Sequence, residues 1–270
     1  MKTLKNHTLI YDNECPMCNI YSQGFIKSGM LDDSGREAFT ELSFKNKNLI
    51  DFNRAKNEIA LVNHNKNEVI YGLDSLLLII GTSFPLLEKI ARIKPLYWFF
   101  KKLYSFVSYN RKQIIPSKID YTDQSCVPDF NLKYRLAYIF FVVLFSSYVL
   151  SIFTSKSGLD LNPNFTREFA ICLGQIFWQT LFLKLYLKEK LWDYLGNMMT
   201  VSLIGTLLLI PGLFLNLNSI SSIIYFGIVV FIMFLEHLRR CKILKLNLLP
   251  TISWMIFRLT VLIILIYLNF

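Results

Sequence analysis

Two cysteines three residues apart, in the run Asp12-Asn13-Glu14-Cys15-Pro16-Met17-Cys18, are the residues of this 270-residue chain whose types and spacing point most directly to chemistry. A thiolate is the nucleophile of disulfide exchange, and it is favoured where free backbone N–H groups and the positive end of a helix dipole converge. Pro16 suits a first helical position, because its missing N–H is not needed there, so Cys15 falls at or near a helix N-cap. Cys18 then faces the same side of the first turn. There it can attack a mixed disulfide formed at Cys15, releasing the reduced partner and closing a Cys15–Cys18 disulfide. Asp12 stands close enough to accept the Cys18 proton as a general base, although its charge also raises thiol pKa values, and sequence alone leaves that balance open. Two blander readings of the same residues are a zinc half-site and a pair of inert buried thiols. Zinc takes four ligands, and the chain offers no second C-x-x-C and no His pair at ligand spacing.

These residues need a strand and a helix to position them, and the flanking pattern supplies both. Residues 8–11, Thr-Leu-Ile-Tyr, read as a buried strand. From Pro16 to about Met30 the apolar residues Met17, Ile20, Tyr21, Phe25 and Ile26 recur at helical spacing. Further strands are expected at about 38–44, 58–63 and 68–71, the last two joined by the polar turn His64-Asn65-Lys66-Asn67. Helices are expected at about 72–81 and 84–93, and Pro95 then opens an aromatic, basic segment that runs to Arg111.

Residues 1 to about 115 resemble the DCC family of thioredoxin-like thiol-disulfide oxidoreductases, named for the pattern met here by Asp12, Cys15 and Cys18. Tyr71-Gly72-Leu73-Asp74-Ser75 is similar to the family's Gly-x-Asp stretch that opens a helix, and Tyr104 through Asn110-Arg111 to its aromatic C-terminal helix. The resemblance implies a thioredoxin-like fold and redox activity at Cys15 and Cys18, with no cofactor beyond that pair. It departs from the family at Asn13, where Gly is common, and at Lys56-Asn57-Glu58. Thioredoxins generally place a cis-proline at that second position, before the strand facing the motif. Its absence here puts broad protein-disulfide activity in doubt.

The rest of the chain belongs to a different solvent. With 53% apolar and 18% charged residues and a mean hydropathy of +0.40, part of the protein must lie in lipid. Residues 134–270 hold only Asp160, Glu168, Glu189, Asp193 and Glu236 as carboxylates. The fold class expected is an α/β thioredoxin-like domain (1–115), a juxtamembrane linker (116–133) and an all-α membrane domain (134–270). Five transmembrane helices are expected in the last, at about 134–153, 168–187, 195–216, 220–237 and 251–269. Lys112, Lys118, Lys133 and Arg135, then Lys184, Lys188 and Lys190, then Arg239, Arg240, Lys242 and Lys245 fall on one side of such a bundle. By the positive-inside rule that side is cytoplasmic, which places the C-terminus opposite. The Lys-, Asn-, Ile- and Phe-heavy usage points to an AT-rich bacterial genome and thus to the inner membrane.

Within the spans, Cys172, Gln175 and Gln179 share a helical face and can join helices by hydrogen bonds. Glu236, His237 and Arg258, with Gln175 and Gln179, are candidates for a membrane-domain site, because an ionisable group in a span is functional by default. A pairing of Arg258 with Glu236, or snorkelling of Arg258, would instead make them structural. The net charge of +10 does not point to nucleic acid, since the cations flank apolar runs rather than interleave with stacking aromatics in a known motif. The cation-rich stretch from Lys89 to Lys118 fits a headgroup-contacting segment better, which makes the bilayer a partner. The odd cysteine count and a start without an apolar h-region argue against a secreted disulfide scaffold.

The reading that combines these features is a cytoplasm-facing, membrane-anchored thiol-disulfide oxidoreductase acting on another membrane or membrane-associated protein. The alternative is a non-catalytic subunit or assembly factor of a membrane complex, with the front domain as a docking module. A transporter is a weaker third, for want of internal repeats. A thiol relay through the bilayer is set aside, because Cys126, Cys172 and Cys241 are scattered along the expected topology.

Overall fold

The structure, a computed structural model, describes residues 2–116, 126–158 and 164–267. Lys118, much of the expected linker, Asp160 and residues 268–269 of the last expected span lie outside the described residues. The chain divides into two compact units, Met1–Tyr134 and Arg135–Phe270.

The first unit is built as β1 (His7–Tyr11), α1 (Pro16–Lys27), β2 (Arg36–Ala38), α2 (Phe44–Leu49), α3 (Phe52–Asn57), β3 (Ala60–Asn63), β4 (Glu68–Tyr71), α4 (Leu73–Ser83), α5 (Pro85–Ala91) and α6 (Lys94–Ile114). Its four strands lie in the order β2-β1-β3-β4. β1 runs parallel to β2 with Leu9 opposite Arg36, and antiparallel to β3 with Leu9 opposite Leu61; β3 and β4 form an antiparallel hairpin. The thioredoxin-like α/β expectation is met: a βαβ crossover followed by a hairpin, with helices on the sheet. Alternate residues of a strand face opposite sides, and here both sides are covered. Ile10, Ala60 and Val62 pack with Phe39, Ile50 and Ala55, whereas Leu9 and Leu61 pack with Leu31, Ile59 and Ile79. The uninterrupted apolar runs of β1 and β3 follow from this double burial.

The strand expected at 38–44 is corrected. Pairing stops at Ala38, a 3-10 turn occupies Phe39–Glu41, and α2 follows. Phe39 is drawn into the core, and the Glu37 carboxylate accepts from the Ser43 N–H and the Asn46 side-chain amide, which holds the chain in a helical start rather than an extended one. α3 is likewise capped by Asp51, which accepts from Asn53 N at 2.9 Å and Arg54 N at 3.1 Å. Gly72 links β4 to α4 at φ 67°, ψ −137°. Only glycine adopts that conformation freely, and a Cβ there would meet the Glu58 carboxylate at 3.0 Å.

The second unit is all-helical: α7 (Leu132–Lys156), whose first turn belongs to the preceding unit, α8 (Phe165–Leu187), α9 (Leu191–Leu209), α10 (Ser219–Ile243) and α11 (Leu249–Tyr267). Among the described residues four helical stretches are long and apolar enough to cross a membrane, rather than the five expected. The second of them, Phe165–Leu213, has 49 residues and contains both the 168–187 and 195–216 spans. A straight helix of that length would run about 74 Å, more than twice the ~30 Å of a hydrocarbon core. It does not run straight: Lys188 takes φ 47° at the end of α8, and the Tyr194 hydroxyl of α9 donates to Gln179 Oε1 of α8 at 3.2 Å, so the two helices double back on each other. Along α10, Ile220, Ile224, Ile228, Phe231 and Leu235 form an exposed stripe, which lipid tolerates and water does not.

Candidate active site at the first strand–helix turn

Cys15 is the N-cap of α1, with φ −92° and ψ 110°, and Pro16 occupies the first helical position. The turn that carries it is shaped by Asp12. The Asp12 backbone oxygen accepts from Cys15 N at 3.2 Å, and its side-chain Oδ1 accepts from Glu14 N at 3.1 Å. An aspartate that hydrogen-bonds the backbone two residues on builds a turn in this way without glycine. A carboxylate oxygen of Asp12 and the sulfurs of Cys15 and Cys18 all lie within 4.8 Å of one another, and all three residues are buried. The cysteines are free thiols.

The two thiols differ sharply. Cys15 is pulled down to about 6, first because the Cys18 thiol donates to its sulfur, against the opposing pull of burial, with the Cys18 backbone N–H and the Arg111 guanidinium helping and Asp12 opposing. Cys18 is pushed up by that same hydrogen bond and by burial. The Cys18 thiol is therefore the one that keeps its proton, and the Tyr21 side chain stands next to the Cys18 sulfur. The structure thus carries a direct expectation: ultraviolet thiolate absorbance of the reduced protein rises with a midpoint near pH 6, and Cys15→Ser removes that transition.

Two residues outside the sequence-derived set complete the site. Lys112 Nζ lies 3.1 Å and Arg111 Nη2 3.6 Å from Asp12 Oδ2, and both cations are buried. Arg111 is held in place by the carbonyl oxygens of Cys126 at 2.8 Å and Lys56 at 2.9 Å, which accept from its Nη2. Buried charges persist when paired, and here one carboxylate meets two cations. The surplus positive charge matches one thiolate, so the turn is balanced when Cys15 is ionised. The signal in the sequence was the Asn110-Arg111 ending of the resemblance, which carried no role for the side chain; Lys112 had no signal beyond being one cation among many.

Cys126 joins the same neighbourhood. Its sulfur lies 3.4 Å from Arg111 Nη2, but burial pushes its thiol up to about 11, so it is neutral and unreactive at pH 7. A cavity of about 190 Å³ opens beside Cys18, lined among others by Asp12, Tyr21, Tyr104, Arg111 and Cys126. Cys15 does not line it and is fully buried. The wall is closed at Ile59, whose N–H donates to the Tyr104 hydroxyl at 2.8 Å.

The membrane-domain candidates do not gather into one site. Glu236 is held by Arg239 at 2.6 Å and Arg240 at 2.7 Å rather than by Arg258. His237 and Gln179 share a buried network: the Tyr194 hydroxyl lies 3.2 Å from His237 Nε2 and donates to Gln179, and Thr251 Oγ1 lies 3.0 Å from His237 Nδ1. Polar contacts of this kind fasten helices in lipid. Arg258 lies over the Trp254 ring at 5.0 Å, and Gln175 is buried with neither amide atom hydrogen-bonded.

Residues 9–116 match the model of the family described as DCC1-like thiol-disulfide oxidoreductase, the segment over which the sequence resembles the DCC family. No curated protein and no solved structure matches the chain.

Proposed function

We propose that the chain is a membrane-anchored thiol-disulfide oxidoreductase in which Cys15 attacks and Cys18 resolves. The observation that carries this reading is the placement of Cys15 at the N-cap of α1 with the Cys18 sulfur and the Asp12 carboxylate within 4.8 Å of its own, an arrangement that lowers the Cys15 thiol and raises that of Cys18. In the reducing direction, the Cys15 thiolate attacks a substrate disulfide, forms a mixed disulfide and expels one substrate thiolate. That step consumes the negative charge matching Arg111 and Lys112. The surplus positive charge then favours ionisation of Cys18, with Asp12, within 4.8 Å of it, as the proton acceptor. The Cys18 thiolate attacks the Cys15 sulfur, the second substrate thiolate leaves, and a Cys15–Cys18 disulfide remains. Two electrons have passed from the dithiol to the substrate disulfide, and a dithiol donor must return them. No cofactor enters the cycle.

The positive-inside pattern supports a cytoplasmic placement of this domain, in the inner membrane of a bacterial cell. In a reducing compartment the pair rests as dithiol and reduces its target. α5, α6 and the turn between them expose Leu86, Ile93, Trp98 and Phe99 beside Lys101 and Lys102, a face suited to lipid headgroups. With the bilayer as one partner, a membrane or membrane-associated protein is the natural second. Full burial of Cys15 favours a second reading, a non-catalytic docking subunit, because an attacking sulfur must be reached. Redox titration of the full-length protein in glutathione buffers, with both thiols followed by mass spectrometry, separates the two. The enzyme reading expects Cys15 and Cys18 to interconvert as a pair with a potential between about −180 and −270 mV. If they form no mutual disulfide under oxidising buffer, the docking reading replaces it.

A further inference from the structure

The helical unit Arg135–Phe270 encloses a second cavity, of about 50 Å³, and its wall takes residues from all five helices, including Ser146 of α7, Gln175 of α8, Thr206 of α9, Met233 of α10 and Arg258 of α11. Two of these are unusual. Gln175 is 3% exposed, yet neither its Nε2 nor its Oε1 has a hydrogen-bond partner. Arg258 Nε is likewise buried without a partner, and among the described residues no carboxylate pairs with this guanidinium. Glu236 is held by Arg239 and Arg240, and Glu168 by Arg167 at 2.6 Å. The contact that Arg258 does make is with the Trp254 ring.

A buried amide and a buried guanidinium N–H without hydrogen-bond partners are costly, and a bound ligand of the right charge relieves both. Water in the cavity would serve the amide but leave the charge uncompensated. A metal cation would be repelled. A small anion satisfies both, accepting from the guanidinium and from the Gln175 N–H groups. The Ser146 and Thr206 hydroxyls on the wall satisfy each other at 2.7 Å, and Thr206 Oγ1 also lies 2.8 Å from the Ser202 carbonyl oxygen, so the ligand is held by Gln175 and Arg258. The volume sets the size, because a water needs about 10–15 Å³ by this kind of measure. A cavity of 50 Å³ takes an ion and a water or two, but neither a ring nor a phospholipid headgroup.

We propose that Arg258 and Gln175 form an internal binding site for a monatomic anion of the chloride or bromide class, enclosed by the five helices α7–α11. The site is independent of the thiol chemistry. Because such an anion binds the folded state alone, it raises the unfolding temperature saturably. The test uses full-length protein in detergent, with sodium gluconate replaced by sodium chloride or bromide at constant ionic strength. The expected result is a saturable rise of about 2–4 °C, abolished by Arg258→Gln and weakened several-fold by Gln175→Leu. Should Arg258→Gln fail to fold, Gln175→Leu alone decides. Absence of a saturable halide effect in the unmodified protein, or an undiminished rise in Gln175→Leu, overturns the proposal.

Discussion

Cys15→Ser is expected to abolish disulfide exchange by the full-length protein, and Cys18→Ala to stall it as a covalent adduct. The two outcomes differ because the proposed cycle gives the two sulfurs different steps. Cys15 carries the thiolate, held near 6, and a serine hydroxyl cannot replace it; the loss is at least about a thousandfold, as for removal of other enzymic nucleophiles. In the proposed cycle Cys18 acts second, on the mixed disulfide. Without it the first attack still occurs, nothing expels the bound thiol, and the partner remains on Cys15 as a species visible on a non-reducing gel. Cys18→Ala also removes the hydrogen bond that is the largest cause of the low Cys15 value, so the adduct forms more slowly below about pH 8 than at pH 9. Cys126→Ala, by contrast, leaves exchange intact, because that thiol is neutral at pH 7. An adduct trapped on Cys126 or Cys241 instead of Cys15 would refute the assignment of roles.

Arg111→Met moves the Cys15 thiolate titration upward and exchange activity follows it along the pH axis. Removing the guanidinium removes one of the charges that lower Cys15, and the surplus over Asp12 disappears with it. The Cys18 hydrogen bonds remain and contribute more than the guanidinium, so the midpoint rises from about 6 but stays below the ordinary ~8.5. The rate of attack falls less than the thiolate fraction, because a more basic thiolate is the better nucleophile with a Brønsted slope of about 0.4–0.5. Activity should therefore recover once the pH is raised past the shifted midpoint. That recovery distinguishes an electrostatic role from a merely structural one, since a variant that had lost its fold would stay inactive at every pH. Arg111→Lys restores the charge but not the two hydrogen bonds to the Lys56 and Cys126 carbonyls, so it should correct the titration while unfolding at a lower temperature than the unmodified protein.

Much of this site was legible from residue order, and the legible part is local. The spacing of Cys15 and Cys18, Pro16 at the first helical position and the apolar strand before them predict a strand–turn–helix with the motif at the helix start, and the structure has it. The hairpin of β3 and β4 was equally readable, since a strand pattern flanking a short polar turn needs no distant information. The short helices α2 and α3 were not. Six residues show less than two turns of periodicity; the Glu37 carboxylate, bonded to Ser43 and Asn46, fixes the start of α2, and Asp51 caps α3. The doubling back of α8 and α9 lay between these cases: the apolar lengths were plain, but the break at Lys188 rests on a left-handed backbone that lysine does not announce.

Sequence by itself determined which atoms are available, two thiols and a carboxylate within one turn, and that the chain continues into helices apolar enough for lipid. Tertiary structure decided whether those atoms are poised. It brought Arg111 and Lys112 from the far end of α6 to the Asp12 carboxylate, buried Cys15, and turned Cys18 toward the cavity. The physical reason is that secondary structure follows from neighbours along the chain, whereas a thiol pKa follows from charge and solvent through space. In a buried site a cation a few ångströms away counts for far more than in water, wherever in the sequence it was encoded.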